Sequence, residues 1–231
     1  MTGFALLSLS ATLALGRWQL SRAAQKEAWQ NSITAQGALP PLDNMAMTEP
    51  MGSLPELHRK VNLRGYWMAS NTVFLDNRQM NNQPGWYVVT PMRIEGAEAV
   101  ILVQRGWVAR NFIDRTSLPQ LETPTGIVQI QGRIAPPPAK LYELGGPNTG
   151  RIRQNLDLAA FAVELGRPLL PVSVQQVGVA SDGLLRDWPV FETGVEKHYG
   201  YAFQWFGLSS LIVILYVWFQ IVRRFIYPRR T

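Results

Sequence analysis

The chain has two histidines and no cysteine. Lack of cysteine removes disulfides, thiolate metal sites, a cysteine nucleophile and a covalent c-type haem, which needs Cys-x-x-Cys-His. The remaining chemistry falls first on His198, just ahead of a long uncharged run. A neutral imidazole nitrogen is a common axial ligand of haem iron. On a helix, Tyr201, Ala202 and Trp205 follow His198 at i+3, i+4 and i+7 and share its face. Ala202 would leave room for a flat macrocycle, and the two aromatics could line it. The same residues also suit an interfacial anchor, with the imidazole bonded to backbone or headgroups and Tyr201 and Trp205 in an aromatic belt. The residues alone leave both readings open.

The other candidates carry less. Arg105, in Gln104-Arg105-Gly106-Trp107, could meet a haem propionate or a partner's carboxylate, because a guanidinium pairs well with carboxylates. More often such an arginine is a structural partner at a hairpin end. His58 lies in a polar run and reads as a surface residue. Trp67, Trp86 and Trp107 open or close apolar runs and read as core or rim packing. The stretch from Leu144 to Arg151 lacks the Gly-Lys-Ser/Thr ending of a phosphate loop and reads as a plain loop. Pro136-Pro137-Pro138 reads as a stiff connector. No Gly-x-Ser-x-Gly or His-Glu-x-x-His occurs, so a hydrolase has no evident base.

His198 must be positioned by the run that follows it. Tyr201 to Val222 is 22 residues without a charge, with Arg223, Arg224, Arg229 and Arg230 behind it. At ~1.5 Å per residue such a helix covers ~30 Å, the hydrocarbon thickness of a bilayer, so the expectation is a transmembrane helix over 199–222 and a basic cytoplasmic tail over 223–231. Gly207, Ser209 and Ser210 are small enough to admit a second helix, so a helical partner is expected.

The partner on offer is the N-terminal run. Thr2 to Gly16 is apolar but only 15 residues long. It lacks the basic residues that precede a signal core, which favours a first transmembrane helix, residues 1–16, whose start lacks some cytoplasmic residues, over a cleaved signal. Residues 17–36 are helix formers and continue it as a juxtamembrane helix. Residues 37–55, rich in Pro, Gly and Met, read as a linker. With two spans both termini share a side. The C-terminal arginines place that side in the cytoplasm against the contrary pull of Arg17, Arg22 and Lys26. The central domain is then periplasmic in a Gram-negative inner membrane.

Charge divides the same way. Residues 30–196 hold 14 Lys and Arg against 15 Asp and Glu, while the rest of the chain holds 8 against 1. The net +6 is therefore a membrane-flank signal rather than a basic face for nucleic acid.

Between the spans, residues 56–196 read as a β-domain. Val61–Trp67, Thr72–Asp76, Trp86–Ile94, Val100–Trp107, Ile127–Ile134 and Val172–Val179 are rich in β-branched and aromatic residues, as strands require. Ile94 to Glu98 predicts a hairpin turn. Asp157 to Leu165 predicts a short helix, with Asp157 as N-cap and Gly166 just past its end. The expected fold is thus an external antiparallel sandwich or small barrel with one short helix, flanked by two transmembrane helices.

Six stretches in order carry a resemblance. They are Gly16-Arg17-Trp18-Gln19 with Arg22, Arg64-Gly65-Tyr66, Gly85-Trp86 before Val89-Thr90-Pro91, Arg105-Gly106-Trp107-Val108, Gly132-Arg133, and His198-Tyr199-Gly200-Tyr201-Ala202 before the terminal run. Together they resemble the surfeit locus protein one family, assembly factors for cytochrome c oxidase in bacterial inner membranes and mitochondria. The chain departs from that pattern in its short first run and in Lys197, where asparagine is expected. The resemblance implies a non-enzymatic role in maturing oxidase subunit I by binding or delivering haem a. His198 would meet the haem iron, and Tyr201, Trp205 and Arg105 would lie around the macrocycle. It also implies membrane lipid, other assembly factors or a haem a synthase as partners. A scaffold that holds assembly intermediates without touching cofactor is the alternative.

Overall fold

The computed structural model describes residues 2–49, 56–111, 113–114, 117–142, 150–179, 183–188 and 194–226. The chain divides into two compact units, one made of Met1–Ser32 and Phe191–Thr231, the other of Ile33–Val190.

In the second unit a strand stands at each of the six expected places: β1 (Lys60–Trp67), β2 (Val73–Met80), β3 (Gln83–Ile94), β4 (Val100–Ala109), β5 (Ile127–Ala135) and β7 (Leu169–Gln176). A two-residue β6 (Ile152–Arg153) was not expected. Period-two patterning decides which face turns inward. In β1, Val61 and Leu63 are buried while Lys60, Asn62 and Arg64 are exposed. β4 is buried from Val100 to Trp107, as a strand covered on both faces must be.

The order β1-β5-β7-β4-β3-β2-β6 carries one further pairing, β1 with β3. β3 is long enough to change neighbours along one edge. Val89 and the residues before it pair with β2, whereas Met92 to Ile94 pair with β1. Strands β1, β5, β7, β4 and β3 therefore close a ring, and the domain is a small barrel with β2 and β6 extending from it. Gly65 is required at the closure, since a Cβ there would lie 2.3 Å from the Arg93 carbonyl oxygen.

The all-antiparallel expectation is corrected: β4 pairs with β7, and β2 with β6, in parallel. The ring explains the first of these. Strand direction can alternate around a closed ring only if the strand number is even, so five strands force one parallel pair.

Two local elements follow their residue types. Asn81 and Asn82, both at positive φ (51° and 60°), form the two-residue turn from β2 to β3, the conformation such hairpins prefer and asparagine tolerates. Helix α3 (Leu158–Leu165) starts at Asp157, whose carboxylate accepts from the Ala159 and Ala160 amides, and Gly166 closes it at φ 62°. Donation from Ala160, and then Lys140, holds the Asp157 carboxyl below the usual aspartate range.

Part of the stretch read as linker is structured. Helix α2 (Asn44–Thr48) puts Met47 in the barrel core, because the Asn44 side chain stands in for a strand partner. Its Nδ2 donates to the carbonyls of Arg64 and Glu95, and its Oδ1 accepts from the Arg64 amide. Residues 50–55 of that stretch, most of the loop from Leu144 to Arg151, and Arg229 and Arg230 lie outside the described residues.

Helix α1 (Thr2–Ala38) is continuous and belongs to the first unit as far as Ser32, and in the same unit α4 (Val195–Val217) passes into a π-helical stretch, Trp218–Ile226. Among the described residues one helix, Val195–Arg223, is long and apolar enough to cross a membrane. α1 does not meet that measure, because its apolar run reaches Arg17 after 15 residues.

Candidate functional site

The first unit is a helix pair, and His198 lies on its seam. From one end to the other, Tyr216 Oη donates to Thr2 Oγ1 (3.3 Å), Ser209 Oγ to Thr12 Oγ1 (2.7 Å) and Tyr199 Oη to Glu27 Oε1 (2.9 Å). His198 Nδ1 lies 2.7 Å from Gln19 Oε1. Numbers rise along α1 as they fall along α4, so the helices run antiparallel. Small residues let them approach: Gly16, Ala23, Ala202 and Ser209 are all buried, and a Cβ at Gly16 would come within 2.8 Å of the Phe206 ring. The expected helical partner is α1. Of the three small residues expected to admit it, Ser209 is buried, while Gly207 and Ser210 are exposed.

Gln19 orients the half-buried His198. With the amide oxygen toward the ring, Nδ1 is the donor of this contact, and in a neutral imidazole Nε2 would then be the nitrogen with a lone pair. A histidine ligand to a metal is held in this way, its second nitrogen donating to an oxygen that fixes tautomer and orientation. The donor set therefore fits an iron that brings its own macrocycle and needs one axial nitrogen. Among the described residues no group of three or more His, Asp or Glu side chains could hold a bare metal ion.

The other expected site residues are distributed unevenly. Tyr201 is half exposed and Trp205 is intermediate, both on α4 near His198. Ala202 is only 2% exposed, on the same stripe as His198 and Ser209. The open space that was expected beside it is closed by packing.

Arg105 belongs to the barrel unit and is buried. Its Nη1 donates to Thr123 Oγ1 (2.8 Å), its Nη2 to the Glu122 carbonyl (2.9 Å), and its guanidinium stacks 5.0 Å from the centre of the Trp67 ring. These bonds match the structural role open to it from sequence. Trp86 and Trp107 are core residues, Trp86 edge-on to Phe74 and Trp107 bonded through Nε1 to the Arg78 carbonyl. His58 is partly buried, with backbone at φ 72°.

Gln19 is the residue that reasoning from sequence passed over as part of a motif. Its signal was there: an uncharged amide one turn beyond an apolar run, followed by helix formers. Nothing local says which residue of a second helix it will face.

Comparison with known proteins covers most of the chain. The model of the SURF1 family matches residues 6–210, which takes in Thr12, Gln19, the whole barrel, His198 and Ser209. A SURF1-like protein of Rickettsia prowazekii is 26% identical over 214 residues, covering 88% of this chain and 83% of that protein. One from Rickettsia felis is 27% identical over 221 residues, covering 92% and 93%. The cytochrome oxidase assembly protein SHY1 of Saccharomyces cerevisiae is 25% identical over 117 residues, 48% of this chain and 29% of that one. With the family's pattern running through both helices and the barrel between them, the chain belongs to the SURF1 family.

Proposed function

We propose that this chain is a non-catalytic, membrane-anchored assembly factor for cytochrome c oxidase that binds haem a for maturation of subunit I. Its kinship with a cytochrome oxidase assembly protein supports the assembly role. The observation that carries the cofactor reading is the 2.7 Å contact between His198 Nδ1 and Gln19 Oε1. It fixes the ring through Nδ1 and leaves Nε2 as the nitrogen that would meet the iron, at the head of an apolar helix. Haem would supply an iron, and His198 would hold it. Tyr201 and Trp205 would flank the ring, and the α1–α4 seam would keep the imidazole from turning away.

Both helices cross the membrane in this reading, with the termini cytoplasmic and the barrel periplasmic. The hydrogen bonds from Tyr216 to Thr2 and from Ser209 to Thr12 favour it, because they pair the N-terminal run with α4 along its apolar length. Subunit I, further assembly factors, a haem a synthase and membrane lipid are the corresponding partners. A scaffold without cofactor is the second reading, favoured by the burial of Ala202.

The deciding experiment is an absorption spectrum of the detergent-purified chain, co-expressed with the haem a pathway and an oxidase subunit I, beside His198→Ala. Stoichiometric haem in the parent and none in an equally folded variant supports the cofactor reading. If neither carries haem while subunit I co-purifies, the scaffold reading stands.

A further inference from the structure

On the barrel unit, a groove of about 660 Å³ lies over the outer face of β1 and β5. Lys60 and Arg133 line it and are direct cross-strand partners. The pair Leu63 and Ile130, three residues along, is buried, so by strand alternation Lys60 and Arg133 point outward together. Like charges directly opposite one another destabilise a sheet. Neither residue forms an ion pair among the described residues. Arg133 donates to the neutral Gln175 Oε1 at 2.7 Å, and burial holds its guanidinium below its ordinary pKa. His58, also on the groove, is held below its ordinary value by burial and then by Arg133. The described carboxylate there, Asp187, accepts from Asn81 Nδ2 at 3.3 Å. Val177 and Trp188 supply an apolar wall, with Trp188 fixed by its Nε1 bond to the Gln176 carbonyl (2.7 Å) and by the Tyr87 ring at 5.2 Å.

Two cations side by side on the outer face of the sheet, next to a rigid aromatic, suit an anion with an apolar body. We propose that this groove binds an organic anion, a carboxylate on an apolar body, with Lys60 and Arg133 taking the carboxylate and Val177 and Trp188 the body. A guanidinium matches a planar carboxylate in a fork, and the wall favours an organic ligand over a bare inorganic ion. The site is independent of His198 and of the cofactor reading.

The test is calorimetric titration of the full chain in detergent at low salt with isophthalate, a water-soluble aromatic dicarboxylate, against neutral isophthalamide and inorganic sulfate. Saturable binding of isophthalate is expected, weakened about tenfold by Lys60→Gln or Arg133→Gln, as for loss of one charge-assisted bond. Isophthalamide should not bind, and sulfate should bind more weakly. Without ligand, Lys60→Gln should melt no lower than the parent, because it relieves the cross-strand repulsion. Absence of isophthalate binding, equal binding by the Lys60→Gln and Arg133→Gln double variant, or binding of the diamide or sulfate as tight as isophthalate would each overturn the proposal. So would a lower melting temperature for Lys60→Gln with binding intact.

Discussion

The barrel and the helix pair are held by opposite means. In the barrel, Leu63, Ile94, Ile101, Val103, Ile134 and Val174 are fully buried, and stability comes from apolar area taken from water at roughly 25 cal/mol per Å². In the helix pair the apolar side chains face outward: Phe203 is 79% exposed, Leu7 71% and Ile214 62%. Small and polar residues line the contact instead. That inversion suits a hydrocarbon surround, where burying apolar surface between helices gains little and close approach with hydrogen bonds must serve. A barrel can therefore lose a polar contact cheaply, and a helix pair an apolar one.

Core truncation should produce the largest effect and the sharpest contrast. Leu63→Ala is expected to destabilise the barrel by about 2–5 kcal/mol, the range for emptying a packed site, as measured by denaturant unfolding. A smaller loss would mean that the core is looser than its burial implies. Next comes Gln19→Ala, which, on the proposed cofactor role, frees the His198 ring without touching Nε2. Haem retention is expected to fall by ~10–100-fold, typical for loss of a residue that orients a metal ligand, with a changed Soret position in what remains. Retention equal to the parent would disconnect the seam from the site.

If both helices cross the membrane as proposed, Ser209→Ala should cost about 0.6 kcal/mol, as a hydrogen bond between membrane helices does. Since the chain has no cysteine, the α1–α4 association can be followed by crosslinking a Thr2→Cys, Tyr216→Cys pair in both backgrounds. A collapse of crosslinking would show that polar contacts dominate the pair more than the comparison allows. The smallest effect is a pH dependence in the barrel unit. Donation from Ala160 and Lys140 lowers the folded pKa of Asp157, so its stabilisation is present above the unfolded aspartate value of ~3.9 and fades as pH falls through the lower folded value. Asp157→Asn should flatten that acid limb of the melting curve, and an unchanged limb would assign it to other carboxylates.

How far the molecule could be read in advance depended on the range of the forces. All six longer strands of the barrel, α3 with its Asp157 cap and the turn after Ile94 were legible, because side-chain alternation and capping act within a few residues. The β-bulge of β2, placed by Asn77 at φ 59°, and the short β6 were not, since neither has a run of residues long enough to show a period. Met47 looked like linker because its burial depends on Asn44 meeting strands whose residues lie about twenty and fifty positions later. Arg105 could be read as ligand or strut, and its contacts with Thr123, the Glu122 carbonyl and Trp67 became visible only in the tertiary structure.

Residue order alone therefore settled that an apolar helix of membrane length follows His198, that a neutral β-domain precedes it, and that His198 is one of two imidazoles available for ligation. These depend on composition and local period, which each segment carries by itself. Ring closure, the parallel pair it forces, the contact of Gln19 with His198 Nδ1, and the meeting of Lys60 with Arg133 were decided by tertiary structure. Each needs residues far apart in the chain to share a boundary. Local preference is silent there, and only the packing of whole elements selects the register.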